Sequence, residues 1–360
     1  MKKSIGIITI YRKNYGAFLQ AYALQQILIR LGFKPEMIRY DYYKDRTILG
    51  IPFAYIRQPK RFLTSLAVEI VRFMPHRTRE QVFAESVRKH IFESEFYCRT
   101  YKQLKKNPPV YDVYLTGSDQ VFNVELSPQA LESRLLCFVK NGAKASYAAS
   151  AGKNLIPESH SEIFKQALRE FSIISVRENG LKQYFIEKFG VKTEQHIDPT
   201  FLLTKDEWND FAEGNETMKG KYIFYYRVLP QEELRKTVRK ISSELGLPVF
   251  VADGNDKFEN QVEREGYLSP ERWVGMLRDA AYVVTNSFHG AAFAINLEKR
   301  VSILIPPKGG ERVKNIVEKC NLCGATSGRI MPEDVEEIYS DAREYFAQER
   351  LRAEEYLKRL

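Results

Sequence analysis

Short apolar runs and helix-period segments take turns along almost the whole chain, and that alternation most constrains the fold. Strands are predicted over 4–10, 35–42, 111–116, 144–150, 173–176 and 194–198, with helices over 18–31, 159–169 and 180–189. The pattern restarts with strands over 221–228, 249–252, 282–285 and 301–305. A connecting helix starts over 208–211, and others cover 232–245, 270–280 and 290–296. Ser269 with Pro270 behind it reads as an N-cap followed by the first helical position. Strands alternating with helices imply a mainly parallel sheet with right-handed crossovers, hence an α/β protein. Residues 1–200 form one α/β half and 201–331 a second, and two such halves are expected to enclose a ligand cleft. From Pro332 onward Val335, Ile338, Tyr339, Ala342, Tyr345 and Phe346 recur at helical intervals, so 332–360 reads as a C-terminal amphipathic helix.

Within this frame Tyr282-Val-Val-Thr-Asn-Ser-Phe-His-Gly290 stands out. A buried strand stops in a polar turn and a helix begins at once, which puts the turn at the carboxyl edge of a parallel sheet, where open α/β sheets bind ligands. The amino end of the helix favours an anion there, and His289 has a proton to give. Capping the turn is the structural alternative for His289. Other strand ends supply Asn14, Gly16, Ser118, Asp119 and Arg177 in the first half. The second half supplies Arg227, Ser287, Gly290 and Lys308. Asn14 and Asp119 could equally cap helices. Arg177 could pair with Glu178 at the surface, and Arg227 and Lys308 could be solvated charges. The set is cationic and donor-rich, with no carboxylate or His/Cys cluster of metal-binding type.

The 360 residues are 44% hydrophobic and 28% charged, as in ordinary globular proteins. No run approaches the length of a membrane span. The amino-terminal apolar run is short and has no small-residue cleavage site, so it reads as the first strand and a cytoplasmic location is expected. The net charge of +9 suits an anionic substrate or surface. It concentrates between Arg57 and Lys106, with twelve Lys/Arg against five Asp/Glu. With Phe62, Leu66, Ile70 and Phe73 at helical spacing, about 50–106 is expected to be a basic helical insertion. It is either a solvated face or a contact for a polyanionic or lipid-linked partner at the inner face of the membrane. No nucleic-acid motif is present. Cys98, Cys137, Cys320 and Cys323 lack the second pair or histidine that a zinc site needs and read as plain thiols.

The sequence resembles the polysaccharide pyruvyl transferase family. The resemblance rests on Asn14-Tyr-Gly-Ala-Phe-Leu-Gln-Ala-Tyr-Ala-Leu-Gln25, Gly117-Ser-Asp-Gln-Val-Phe-Asn123, Ser146-Tyr-Ala-Ala-Ser150, Ser175-Val-Arg-Glu178, Asp198-Pro-Thr200 and Thr285-Asn-Ser-Phe-His-Gly290. It implies a GT-B-like architecture of two Rossmann-like domains facing across a cleft, with the last helix returning to the first domain. The implied reaction moves the enolpyruvyl carbons of phosphoenolpyruvate onto a sugar hydroxyl pair, giving a pyruvate ketal and phosphate without a cofactor. The implied partners are phosphoenolpyruvate and a glycan or lipid-linked sugar acceptor. By this likeness Arg177 and His289 match functional residues of the family. Lys308 is a looser match to a basic residue after the histidine motif, with Arg312 or Lys314 as alternatives. Asp119 is the candidate base for the acceptor.

Two other readings remain at this level. A GT-B glycosyltransferase using a nucleotide sugar would need an acidic residue such as Glu298 to grip its donor. A non-catalytic anion- or glycan-binding protein would keep the fold without the chemistry.

Overall fold

In the computed structural model the described residues are 2–12, 14–40, 47–48, 51–52, 79–125, 128–214, 218–253, 256–262, 266–307 and 310–360. The chain forms two compact units. The first comprises Met1–Lys13, Gln20–Asp198 and Glu355–Leu360, and the second Asn14–Leu19 and Pro199–Glu354.

The first unit is built on β1 (Ser4–Ile8), β2 (Lys34–Tyr40), β5 (Glu93–Cys98), β6 (Val113–Thr116), β7 (Ala143–Ser146) and β8 (Phe171–Ile173). They form one sheet in the order β5-β2-β1-β6-β7-β8, and every pairing is parallel. Crossovers include α1 (Tyr15–Arg30), a helix α2 over 79–90, α3 (Tyr101–Lys106), α4 (Pro128–Arg134) and α5 (Glu158–Leu168), and α6 (Asn179–Tyr184) follows in the same unit. A parallel sheet covered on both faces needs apolar residues throughout its strands, and β6 is buried at all four positions. Phe122, Phe164, Phe185 and Phe189 pack together under one face. The short strands β3 (Thr47–Ile48) and β4 (Ile51–Pro52) pair antiparallel.

The second unit repeats the plan with β11 (Ile223–Tyr226), β12 (Val249–Val251), β13 (Gln261–Val262), β14 (Tyr282–Thr285) and β15 (Val301–Ile303). Its order is β13-β12-β11-β14-β15, again parallel throughout. Helices α7 (Lys205–Phe211), α8 (Glu232–Leu245), α9 (Pro270–Asp279), α10 (Phe288–Asn296), α11 (Glu311–Lys319) and most of α12 (Ser340–Leu357) belong to it. Trp273 is the hinge of its aromatic core, edge-on to Phe224, Tyr226 and Phe293. Phe201 stacks on Phe346 of α12 at 4.2 Å, and Arg350 Nε donates to the Phe201 carbonyl. The final residues, from Glu355, join the first unit, where Tyr356 donates to the Ser146 carbonyl at 2.8 Å.

Several expectations change. The segment expected over 173–176 is two strands, β8 and β9 (Ser175–Val176), in different sheets, β9 pairing with β10 (Glu194–Gln195). Within the basic insertion 57–78 lies outside the described residues, and 79–90 is helical. The rest is not a helical excursion alone, because β5 returns to the main sheet as its edge strand. Helix α7 starts earlier than expected because Thr204 and Glu207 form a reciprocal capping box. Helix α12 starts only at Ser340, later than the amphipathic pattern from Pro332. Among the described residues no helix is long and apolar enough to cross a membrane.

Candidate functional site

The turn after β14 is fixed by its own side chains. Ser287 caps α10, its hydroxyl accepting from Gly290 N–H at 3.3 Å, while Thr285 Oγ1 accepts from Ser287 N–H at 3.0 Å. A Cβ at Gly290 would come within 2.3 Å of Thr285 Oγ1, so the glycine permits this close return. Ser287 and Gly290 therefore have structural work at the turn. The helix begins at Phe288, two residues earlier than expected, and carries the half-buried His289 in its first turn.

His289 rests on another helix start in the same unit. Asn14 Oδ1 accepts from Ala17 N–H at 3.1 Å and starts α1 at Tyr15 rather than at Phe18. Gly16 then falls inside the helix, where glycine costs about 1 kcal/mol against alanine. Space is the reason for it, since a Cβ there would come within 2.0 Å of His289 Nδ1. Tyr15 locks this turn in place. Its ring stacks on Trp273 at 5.4 Å and its hydroxyl donates to the Leu268 carbonyl.

Asn286, which was not among the sequence candidates, is a tie for the neighbouring loop. Its Oδ1 accepts from Val228 N–H, and its amide donates to the Leu229 carbonyl and to Gln231 Oε1. Its place between β14 and the histidine was the available signal. Arg227 is not a solvated charge, because it pairs with Asp256, which also accepts from Tyr225. Lys308 lies outside the described residues. Of its alternatives, Arg312 sets its guanidinium over the Phe288 ring at 5.5 Å, next to His289 in sequence. Lys314 is two residues further along α11 and pairs with Glu318 at 3.9 Å.

In the first unit the strand ends of β6 and β9 make a buried polar knot. Arg177 pairs with Asp198 at 2.6 Å, their side chains being 5% and 0% exposed, and it donates to Ser118 Oγ at 2.7 Å. The surface pairing of Arg177 with Glu178 is thus corrected: Glu178 accepts from Ser150 instead. Ser118 N–H donates to Gln20 Oε1, and Ser118 Oγ donates to the Ala148 carbonyl. Asp119 sits beside it with φ of 64°, in the left-handed region, and its carbonyl accepts from Val121 and Ser150 N–H. Gln20 and Asp198 stand inside two of the motifs that carry the family resemblance but were not among the candidate site residues, and the structure adds them to the knot.

Residues 14–305 match the sequence profile of the polysaccharide pyruvyl transferase family. The chain belongs to that family. His289, Arg177, Asp119 and the Asn14–Gly16 turn lie inside the matched span, and Arg312 and Lys314 lie beyond it. Among curated proteins none matches the chain. In three dimensions it is similar to a putative UDP-N-acetylglucosamine 2-epimerase from Listeria monocytogenes, with TM-score 0.51, 10% identity, and coverage of 99% of this chain and 91% of that one. The S. aureus MnaA-UDP co-structure gives TM-score 0.51 and 13% identity, covering 98% of this chain and 90% of that one. At such identities the likeness shows the fold alone. This pyruvyl transferase family member has two Rossmann-like units of the GT-B class.

The family member's Glu298 does not lie at the His289 turn. It follows the carboxyl end of α10 with φ of 52° and pairs with Lys205 at 2.7 Å and Arg343 at 3.0 Å. Burial opposes its ionisation, but those two cations hold its carboxyl below the usual range. It is thus committed away from the turn where a nucleotide-sugar donor would need it. The cysteines are free thiols. Burial pushes Cys320 up to about 12, while Cys323 is exposed.

Proposed function

We propose that the protein transfers the enolpyruvyl carbons of phosphoenolpyruvate to a hydroxyl pair of a glycan or lipid-linked sugar, forming a pyruvate ketal and releasing phosphate. The observation carrying this reading is the placement of His289 in the first turn of α10, at the carboxyl end of β14, in a chain of the pyruvyl transferase family. Protonation of the donor's methylene carbon makes C2 electrophilic, and one sugar hydroxyl adds there. Phosphate leaves, and the second hydroxyl closes the ketal. His289 is the general acid, for the methylene or for the departing phosphate. Arg312 beside Phe288 and the amino end of α10 favour the donor's negative charge. Asp119 is the proposed acceptor base. The donor is the only small molecule the reaction is proposed to need besides the acceptor. The reaction is tested by incubating the protein with phosphoenolpyruvate and a panel of lipid-linked and nitrophenyl sugars, with and without a chelator. Phosphate release coupled to a mass gain on one sugar supports it. Transfer from a nucleotide sugar instead would replace it.

Arg177 is proposed to be required for donor binding, with Ser118 and Asp198 holding its fork. Arg177→Lys loses the planar fork and should raise the donor KM with kcat little changed. A fall in Tm with the donor KM unmoved would make Arg177 a structural tie.

The described part of the basic segment is proposed to face the acceptor. Lys102, Lys105 and Lys106 are exposed on α3, whose buried Tyr101 and Leu104 hold it to the unit. Reversing these three charges to Glu should raise the acceptor KM and leave that of phosphoenolpyruvate nearly unchanged. Movement of the donor KM alone would overturn the assignment.

A further inference from the structure

The second unit has a cavity of about 480 Å³ lined by Lys205, Asn209, Lys219, Arg278, Asp279 and Lys299, with Leu297 and Glu298 completing it. Arg278 and Asp279 end α9, just before β14, and Lys299 just precedes β15. Lys219 just precedes β11. The cavity therefore lies at the amino ends of the parallel strands, whereas His289 follows the carboxyl end of β14. Helix α10 spans the two ends, nine residues or roughly 13 Å of helix.

The lining is built for more negative charge than it contains. Four cations face two carboxylates, an excess of two. Lys205 is matched to Glu298 and Arg278 to Asp279, at 2.7 and 2.8 Å. Arg343 also pairs with Glu298, at 3.0 Å, so that carboxylate is shared between two cations. Lys299 Nζ donates to the Arg278 carbonyl at 2.6 Å, which holds the ammonium beside the other cations without neutralising it.

We propose that this cavity binds a small phosphate-bearing anion at a site separate from the His289 turn. A phosphate group offers acceptor oxygens for Lys219, Lys299 and Arg278 together and balances the surplus charge. Asn209 also lines the cavity, its backbone carbonyl accepting from Arg278 Nη1 at 3.4 Å. The charge state of Lys299 supports this reading. Burial pulls its ammonium down to about 8, and Lys205, Arg278 and Lys219 press in the same direction against the opposing Asp279. A bound dianion reverses that pressure, so binding near pH 8 draws a proton onto Lys299, and binding near pH 6 does not.

Pyrophosphate is the probe, measured by titration calorimetry at constant ionic strength in two buffers of different ionisation enthalpy. At pH 8 the wild type should take up more protons on binding than Lys299→Met does, since the probe's own protons are common to both. Lys219→Glu changes an exposed loop residue, and Lys299→Met removes the half-buried ammonium; each should weaken binding by about tenfold or more. Arg177→Lys, expected to weaken donor binding, should bind pyrophosphate as the wild type does, which separates this site from the proposed donor site. Binding that the two lysine variants leave intact, binding lost only with Arg177→Lys, or no binding once chloride matches the ionic strength would each overturn the proposal. Equal proton uptake by the wild type and Lys299→Met at pH 8 would remove Lys299 from it.

Discussion

Replacing His289 with alanine should lower kcat by roughly 10²–10⁴-fold while the donor KM changes little. The ring sits in the first turn of α10, and neither the Ser287 cap nor the Gly290 contact depends on it, so the turn itself should survive. His289→Gln keeps a hydrogen-bond donor but has no proton to release near neutral pH, and should be nearly as poor as alanine. Steady-state kinetics with phosphoenolpyruvate, alongside thermal melting, reads both changes. A glutamine variant with near-native turnover would make His289 a hydrogen-bonding anchor rather than the acid. Equal loss of donor affinity and kcat would point to a role in binding.

Gly16→Ala is the smallest change expected to have a comparable effect. One methyl group on α1 would meet the His289 ring at 2.0 Å, and one of the two must yield. Tyr15 is buried between Trp273 and the Leu268 carbonyl, so the helix start resists movement and the imidazole is displaced. A displacement of about 1 Å at a reacting group costs on the order of 10²-fold in rate. Overpacking should cost about 1–3 kcal/mol, partly offset by alanine's better helix propensity. The expected result is a folded protein with a modest change in Tm and a large fall in kcat. Unchanged kcat would show that the His289 ring can shift freely without consequence for the chemistry.

Local periodicity made much of the fold legible. The strand over 282–285 and the helix over 232–245 have the expected bounds, because apolar spacing and glycine punctuation suffice there. Where pairing partners decide, the reading failed. Ser175 and Val176 look continuous with Ile173, yet they form a separate short strand that pairs with Glu194 and Gln195 on one side and is bridged by Ala149 on the other. Glu93–Cys98 carries charge and an exposed tyrosine, so only its pairing with β2 reveals it as a strand. The candidate site shows the same division. Ser287 and Asn14 are caps that a turn motif announces. The contact of Gly16 with His289, and the salt bridge of Arg177 with Asp198, join residues distant in sequence whose spacing carries no trace of the partner.

Helix α1 has a bearing on how such a chain could be taken apart. Its first residues, Asn14–Leu19, belong to the second unit although they precede almost all of it in sequence. A polypeptide cut at Pro199 would release a carboxyl-terminal piece with Trp273 stripped of the Tyr15 ring and His289 stripped of its glycine floor. Modular exchange with a related protein would therefore have to carry the six residues Asn14–Leu19 from far upstream in the sequence, or leave the graft with an uncovered tryptophan.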